Sequence, residues 1–308
     1  MSAIIEATGL SKRYGRQQVL DQVSFQVEPG RIVGLIGRNG AGKTTLLKAI
    51  LGLTPYEGDL TVFGLSPARE RHAIMGQICF IADTSVLPRW LTVAHALDYV
   101  AGVHPRFDRA RAQAFLADTT QIRSASRVGE LSKGMITQLH LAIILAIDAR
   151  LLVLDEPTLG LDLLYRQEFY GTLLNDYFDH ERTIVLTTHQ VEEVENLLTD
   201  VLFVDTGRIV LNGSIEDLQQ RYLQLTVASD TVEAARALGP FYEHDGVLGR
   251  RSMLFEPGEH LDPGQLAEFG EIGVPSIAEL FMAKMQQSAP RPRRASAAAA
   301  AAAAGESA

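Results

Sequence analysis

The sequence predicts an α/β fold in which helices flank a mostly parallel sheet, and two patterns support this. Apolar runs at 32–36, 151–154 and 183–187 lack polar alternation, as expected of strands that are buried on both faces. Helical stretches separate these runs, and strands that alternate with helices form parallel sheets. The chain of 308 residues is long enough to bury a sizeable core in one large domain or two.

The N-terminal part of the chain adds an antiparallel β subdomain to this prediction. Short strands are predicted at 4–7, 19–27 and 59–63, and residues 22–27 alternate polar and apolar side chains as a half-buried strand does. A further buried strand is predicted at 77–81.

A glycine-rich motif follows the predicted strand at 32–36. Residues 37–44 fit G-x-x-x-x-G-K-[ST], and apolar residues at helical spacing follow in 45–50, so the motif lies between a strand and a helix. This context is the one that a phosphate-binding loop requires, and it predicts a P-loop NTPase core. The predicted nucleotide-binding residues of this segment are Gly37, Arg38, Asn39, Gly40, Ala41, Gly42, Lys43, Thr44 and Thr45.

Each residue type in the loop has a chemical reason. Gly40 and Gly42 allow backbone N–H groups to turn toward a triphosphate, and the N-terminus of the following helix faces the same anion. Lys43 is expected to contact the β- and γ-phosphates as a mobile charge and to be catalytic, while the Thr44 hydroxyl is expected to bind Mg²⁺.

The middle of the chain is predicted to be a helical insertion, about 84–148. Its apolar residues recur with a period of 3.6, so Val93, Leu97 and Val100 share one helical face. A helix is predicted around 163–178, and a hairpin at the sheet edge within 201–211.

Three segments are predicted along the chain. Residues 1–219 form the nucleotide-binding domain, and 220–287 form a small C-terminal α+β extension that carries no chemical motif. Residues 288–308, in which Pro and Arg precede an alanine tract, have no apolar face to bury and are predicted to be disordered.

Composition excludes several classes of function. The net charge of −9 argues against a broad nucleic-acid-binding face. Cys79 is the single cysteine, which excludes an intrachain disulfide and a cysteine-based zinc site, and it is predicted to be a buried strand residue. No apolar run is long enough to span a bilayer, so we expect a protein that is soluble by itself.

A second motif supplies the acidic groups that phosphate chemistry needs. The buried strand at 151–154 is followed by Asp155 and Glu156. Beside the phosphate loop, Asp155 is expected to hold Mg²⁺ directly or through water, and Glu156 to polarise the attacking water. Further upstream, Ser132 is a natural N-cap for a helix predicted over 136–147, and Gly134 allows close backbone approach to an anion.

The ordered set of motifs resembles the nucleotide-binding subunit of an ABC transporter over about residues 3–215. It comprises the phosphate loop, L-S-K-G-M at 131–135, the Asp-Glu strand, P-T-L-G-L-D at 157–162 and T-T-H at 187–189. The variant L-S-K-G-M, the segment 106–108 and the C-terminal extension are similar to those of exporter-type systems whose membrane subunits are separate chains.

This resemblance implies roles for further residues. Ser132 and Gly134 would contact the γ-phosphate held by a second subunit, Asp162 would lie at the dimer seam, and His189 would contact the γ-phosphate as a catalytic sensor. Tyr14 would stack on adenine, unless it is only a tyrosine at the end of a half-buried strand.

Two departures from the family pattern leave alternatives open. The glutamine that touches Mg²⁺ in the family corresponds to Asp83, whose shorter, charged side chain favours coordination through water. Lys133 stands where the family has glycine, and it either adds a favourable charge near phosphate or is solvated.

The resemblance implies an ATPase that uses ATP and Mg²⁺, pairs as a homodimer and drives transport by integral membrane subunits, with export as the expected direction. It would be cytoplasmic, on the inner face of the membrane through its partner. A soluble ABC ATPase acting on ribosomes or DNA is the first alternative, although such proteins generally have tandem nucleotide domains or a long coiled-coil insertion. A P-loop kinase of small molecules is the second, and it leaves Ser132 and His189 unexplained.

Overall fold

The apolar runs form a six-stranded sheet in the computed structural model, which describes residues 3–82, 87–118, 122–179, 181–246, 249–256 and 263–288. The strands lie in the order β5-β6-β7-β3-β8-β9, and β9 alone among them runs antiparallel to its neighbour. These strands are β3 (Ile32–Ile36), β5 (Ile78–Ile81), β6 (Leu151–Asp155), β7 (Thr183–Thr188), β8 (Asp200–Asp205) and β9 (Arg208–Ser214). The mostly parallel sheet and its edge hairpin are confirmed.

Alternate side chains of the central strands enter two different apolar cores, which explains why the runs lack polar alternation. On β6, Leu151 and Val153 pack in one core, whereas Leu152 and Leu154 pack in the other. The first core lies against α1 (Lys43–Ile50) and the antiparallel sheet, and the second contains the helical insertion.

The antiparallel subdomain is a three-stranded sheet in the order β2-β1-β4. Its strands are β1 (Ile5–Tyr14), β2 (Gln17–Val27) and β4 (Glu57–Val62). The short α2 (Arg71–Met75) then leads into β5.

The helical insertion contains α3 (Val93–Val103), α4 (Arg109–Asp118) and α5 (Lys133–Leu145) within its described part. Helix α5 begins three residues before the predicted start at 136, because the Ser132 hydroxyl accepts a hydrogen bond from Met135 N and caps the helix at that point. After β6, α6 (Leu163–Thr172) continues as a π-helical segment, Leu173–Tyr177. The two segments together cover the helix predicted around 163–178.

No helix in the described ranges has the length and apolar character needed to cross a bilayer.

The C-terminal extension has its own sheet, in the order β11-β12-β10-β13. Its elements are α7 (Ile215–Arg221), β10 (Leu223–Val227), α8 (Val232–Arg236), β11 (Tyr242–Asp245), β12 (Arg251–Phe255), α9 (Pro263–Ala267), β13 (Glu271–Gly273) and α10 (Ile277–Ser288). The predicted disordered tail lies outside the described residues, except Ser288, which is the last residue of α10.

Helix α10 fastens the extension to the nucleotide-binding domain. The ring of Phe281 packs edge-on against Phe203 of β8, with centroids 5.3 Å apart. At the two ends of the helix, Ile277 N donates to Glu195 Oε1 at 2.7 Å and Ser288 Oγ donates to Asp205 Oδ2 at 2.6 Å.

We expect Phe281→Ala to lower the free energy of unfolding by about 3 kcal/mol, because it removes a buried aromatic ring and leaves a cavity beside Phe203. Urea denaturation measures this loss. Met282→Ala is the matched control, since the neighbouring Met282 is exposed and should change the stability by no more than about 0.5 kcal/mol. Equal stabilities for the two variants would show that this contact does not hold α10 in place.

Candidate functional site

The loop between β3 and α1 adopts a conformation that its glycines make possible. Gly40 has φ 82° and Gly42 has φ 112°, both in the left-handed region that favours glycine. A Cβ on Gly42 would also lie 2.9 Å from the carbonyl oxygen of Val19, so a larger residue would displace the loop or β2. Lys43 then begins α1, which directs its N-terminus at the space above the loop.

Lys43 lies at the centre of the site with only 7% of its side chain exposed. Its Nζ donates to the carbonyl oxygen of Gly37 at 2.6 Å and lies 3.4 Å from Glu156 Oε1. A buried ammonium group is costly unless it is paired, and here a carboxylate and a loop carbonyl supply that pairing.

The end of β6 brings Asp155 to the loop. Its Oδ1 accepts a hydrogen bond of 2.6 Å from the Thr187 hydroxyl on β7 and one of 3.4 Å from the Thr44 hydroxyl on α1. The parallel pairing of β6 with β7 places Asp155 directly beside Thr187. Asp155 is buried, and its carboxylate is therefore oriented by two neighbouring elements.

Glu156 has an unusual backbone conformation, with φ 50° in the left-handed region. A non-glycine residue there costs about 1–3 kcal/mol, and such strain persists when the surroundings hold it. Glu156 N donates to Thr187 Oγ1 at 2.9 Å, and Leu159 N donates to the Glu156 carbonyl at 3.1 Å. Its carboxylate is turned between Lys43 and His189, whose Nδ1 lies 2.9 Å from Glu156 Oε2.

Lys43, Glu156 and His189 line a cleft of about 740 Å³. Tyr14 stands at its rim, half exposed, with the Lys12 ammonium 4.8 Å from its ring centroid and its hydroxyl 3.4 Å from Thr54 Oγ1. The sequence-predicted residues that line the cleft are Tyr14, Arg38, Asn39, Gly40, Gly42, Lys43, Thr44, Thr45, Glu156 and His189. The structure therefore brings most of the predicted nucleotide site together.

Part of the cleft wall is formed by residues that the sequence motifs do not predict to bind nucleotide. Gln17, Gln18 and Val19 at the start of β2 line it, as do Leu159 and the hairpin turn Thr206-Gly207. Gly207 N donates to the Ala41 carbonyl at 2.9 Å, and a Cβ on Gly207 would lie 2.4 Å from the Val19 carbonyl oxygen. A turn glycine between two strands was the available signal, but it does not indicate which distant loop the turn contacts.

Three of the predicted residues lie elsewhere. The described part of this cleft is not lined by Ser132, Gly134 or Asp162. Ser132 and Asp162 cap α5 and α6, and Asp162 Oδ1 accepts from Tyr165 N at 3.1 Å. The ring of Tyr165 lies over Gly134, so close that a Cβ there would be 2.4 Å from the ring.

The two departures from the family pattern have different outcomes. Lys133 is exposed, and its Nζ donates to the carbonyl oxygen of Gly160 at 3.3 Å, which links the start of α5 to the segment before α6. Asp83 lies outside the described residues.

An apolar groove of about 730 Å³ lies along β5 and the helical insertion. Trp90, Tyr99 and Val103 are exposed at this groove. His140 on α5 contributes an Nε2 that has no hydrogen-bond partner among the described residues, and burial lowers the pKa of its ring to about 4. Cys79 also lines the groove, and it is the buried strand residue that the sequence predicts. Burial raises the pKa of its thiol to about 12, which makes the thiol unreactive.

The sequence matches known proteins over most of its length. The family described as ABC transporter matches residues 20–159. The Nod factor export ATP-binding protein I of Rhizobium etli is 34% identical over 261 residues, which cover 82% of each chain. The ABC transporter ATP-binding protein YtrB of Bacillus subtilis is 28% identical over 228 residues, covering 74% of this chain and 78% of that one.

Solved structures agree in fold. A solved structure of the ATP binding subunit of an ABC transporter superposes with a TM-score of 0.63 at 29% identity, and the match covers 70% of this chain and 92% of that one. A bacterial Atm1-family ABC exporter with ATP bound gives a TM-score of 0.61 at 22% identity, over 70% of this chain and 40% of its own, which is a likeness of fold. The chain therefore belongs to the ABC transporter family, among its ATP-binding subunits.

Proposed function

We propose that this chain hydrolyses ATP as one of two identical subunits and drives export through separate membrane subunits. The observation that carries the proposal is the division of the predicted residues between two places. Lys43, Glu156 and His189 line one cleft, and the buried Asp155 reaches it through Thr44. Ser132 and Asp162 are exposed outside that cleft, and Gly134 is buried two residues after Ser132.

The cleft fits a nucleoside triphosphate. The N-terminus of α1 and the loop N–H groups favour phosphate, and Lys43 would exchange its contacts with Gly37 O and Glu156 for phosphate oxygens. The exposed face of Tyr14 is available for stacking on adenine, since an aromatic ring at the rim of the cleft offers a flat apolar surface.

The oxygen donors at the cleft also fit Mg²⁺. Thr44 Oγ1 and Asp155 Oδ1 are 3.4 Å apart, and Mg²⁺ in nucleotide sites is commonly held by one or two protein oxygens together with phosphate oxygens and water. The ion, when bound, would neutralise charge on the phosphates. Asp83 is proposed as an additional contact through water.

Glu156 is the proposed base because its carboxylate faces the cleft and is held from both sides. It would accept a hydrogen bond from the attacking water and orient it toward the γ-phosphate. His189 supports this position through its 2.9 Å contact with Oε2. Because a carboxylate only accepts, His189 Nδ1 carries a proton in this contact.

A second subunit would complete the site with Ser132 and Gly134 at the start of its α5. The surface beside Asp162 supports an interface, because Leu163 is 66% and Leu164 is 76% exposed in the single chain. Burial of triphosphate charge between two helix N-termini would supply the energy of closure.

The apolar groove beside β5 is the proposed docking site for a helix of the membrane subunit. Trp90, 73% exposed, and Tyr99 offer aromatic anchors of the kind found at protein interfaces. Export is proposed because the chain is 34% identical to an export ATP-binding protein. The chain would then lie at the cytoplasmic face of the membrane through this partner.

Steady-state release of phosphate from ATP by the purified chain tests the catalytic part of the proposal. We expect Lys43→Ala to abolish nucleotide binding and hydrolysis, because the variant loses the buried cation that faces the phosphates. Lys48→Ala is the matched control, since Lys48 lies on the same helix, is exposed and is absent from the cleft lining. Equal activity of the Lys43→Ala variant and the wild type would disprove the assignment.

A further inference from the structure

Arg166 on α6 contacts two segments that the proposed reaction uses, although it does not line the nucleotide cleft itself. Its Nε donates to the carbonyl oxygen of Leu161 at 2.9 Å, within the segment that precedes α6. Its Nη1 forms an ion pair with the Glu193 carboxylate, in the segment that follows β7. Both side chains are mostly buried, at 20% and 21% exposure.

Glu193 is in turn connected to the residue next to His189. When the Gln190 amide is oriented so that its nitrogen faces acceptors, that nitrogen donates to Glu193 Oε1 at 2.7 Å. Gln190 N also donates to Thr188 Oγ1 at 2.9 Å, which ties the segment to the end of β7. A chain of polar contacts therefore runs from Leu161 through Arg166 and Glu193 to the backbone beside His189.

The other contacts of the segment that follows β7 do not connect it to Leu161 as Arg166 does. Val191 and Val194 are buried and hold the apolar side of the segment against the core. Glu195 accepts from Ile277 N at 2.7 Å and so faces α10. Of these contacts, only the one through Arg166 joins the segment to residues 160–162.

We propose that Arg166 is a positioning residue that couples residues 160–162 to the placement of His189 on Glu156. This inference depends on the proposed function, because it gives a role to a surface that a second subunit would contact. A shift of residues 160–162 on dimer closure would move Leu161 O and the start of α6 together. The guanidinium group would carry that shift to Glu193, and His189 would follow.

The chemistry of arginine suits this role. A planar guanidinium has donors in a fixed fork and can serve a carbonyl and a carboxylate at once, whereas a lysine ammonium on a flexible stem does not hold two partners in a fixed geometry. Removal of Arg166 leaves the Glu193 carboxylate without this cation and the segment free to shift relative to Glu156. A displacement of about 1 Å at catalytic groups lowers rates by up to about a hundredfold.

The test compares Arg166→Ala, Arg166→Lys and Glu193→Gln with a matched control, Arg182→Ala. Arg182 is likewise 20% exposed, and it contacts a carbonyl (Tyr177 O, 2.8 Å) and a carboxylate (Asp148, 3.2 Å), but neither partner is at the cleft. For each variant, kcat and KM for ATP are measured together with amide hydrogen exchange of a peptide covering 189–194 in the nucleotide-free chain.

We expect Arg166→Ala to lower kcat by about ten- to a hundredfold with KM changed less than about threefold, and to speed exchange in 189–194. Arg166→Lys should recover only part of kcat, and Glu193→Gln should resemble Arg166→Ala. Arg182→Ala should change neither the rate nor exchange in 189–194. The inference is overturned if Arg166→Ala behaves as Arg182→Ala does, or if its exchange in 189–194 equals that of the wild type. If the proposed function is wrong, the wild-type chain will not hydrolyse ATP. The exchange experiment would still report on the Arg166 contact in that case.

Discussion

Replacement of Glu156 by Gln is expected to lower ATP hydrolysis by about a hundredfold or more while ATP binding is retained. Glutamine keeps the size of the side chain but cannot accept the proton of the attacking water. The backbone strain at φ 50° stays the same, because glutamine carries a Cβ just as glutamate does. The loss of activity would therefore report on the carboxylate and not on a refolded loop.

The same substitution should also favour binding of ATP by the dimer. The carboxylate lies 3.4 Å from Lys43 Nζ, and its neutralisation removes a group that competes with phosphate for that cation. An unhydrolysed ATP then holds the closed dimer, so gel filtration with ATP and Mg²⁺ should show a doubled mass for Glu156→Gln and not for the same variant without ATP.

Glu192→Gln is the matched control for this experiment. Glu192 is exposed, lies three residues after His189 in the sequence and does not line the cleft. Its replacement removes one negative charge nearby but no proposed catalytic group, so hydrolysis should stay close to that of the wild type. Wild-type hydrolysis by Glu156→Gln would contradict the assignment of the base, and Asp155 or His189 would then need the same test.

Local motifs in the sequence predict single helices, strands and loops. Residues 37–44 predicted a strand, a loop and a helix, because glycine, lysine and threonine at fixed spacing determine that local geometry. Ser132 predicted a helix start, and the observed cap at Met135 N confirms it. In both cases the interacting groups are a few residues apart in the chain.

Contacts between distant segments were harder to predict. Thr206 and Gly207 line the cleft because the β8–β9 hairpin reaches Ala41 and Val19, and no local pattern encodes that approach. The sequence predicts the Lys133 side chain either near phosphate or in solvent, and its contact with Gly160 O depends on how the start of α5 lies relative to the segment between β6 and α6. Arg166 had no motif of its own, and its importance follows only from which segments it joins.

Gly134→Ala is expected to reduce hydrolysis by about a hundredfold while ATP binding to the phosphate loop remains. On propensity alone, alanine in a helix is more stable than glycine by about 1 kcal/mol, so a glycine at this position of α5 calls for a spatial reason. Two reasons are present here. A Cβ would lie 2.4 Å from the ring of Tyr165, and it would stand at the helix N-terminus that we propose contacts the ATP of the second subunit.

The double variant Gly134→Ala/Tyr165→Ala separates these two reasons, with Tyr165→Ala as its baseline. Removal of the ring relieves the clash, so the double variant should regain the thermal stability that Gly134→Ala loses. It should not regain hydrolysis, because in the proposed dimer the added methyl group would still stand at the helix N-terminus that contacts the opposing phosphate. Binding of a fluorescent ATP analogue should be equal in all three variants, since the phosphate loop belongs to another part of the same chain. Recovery of hydrolysis in the double variant to the Tyr165→Ala level would show that Gly134 serves packing against Tyr165 and not contact with nucleotide.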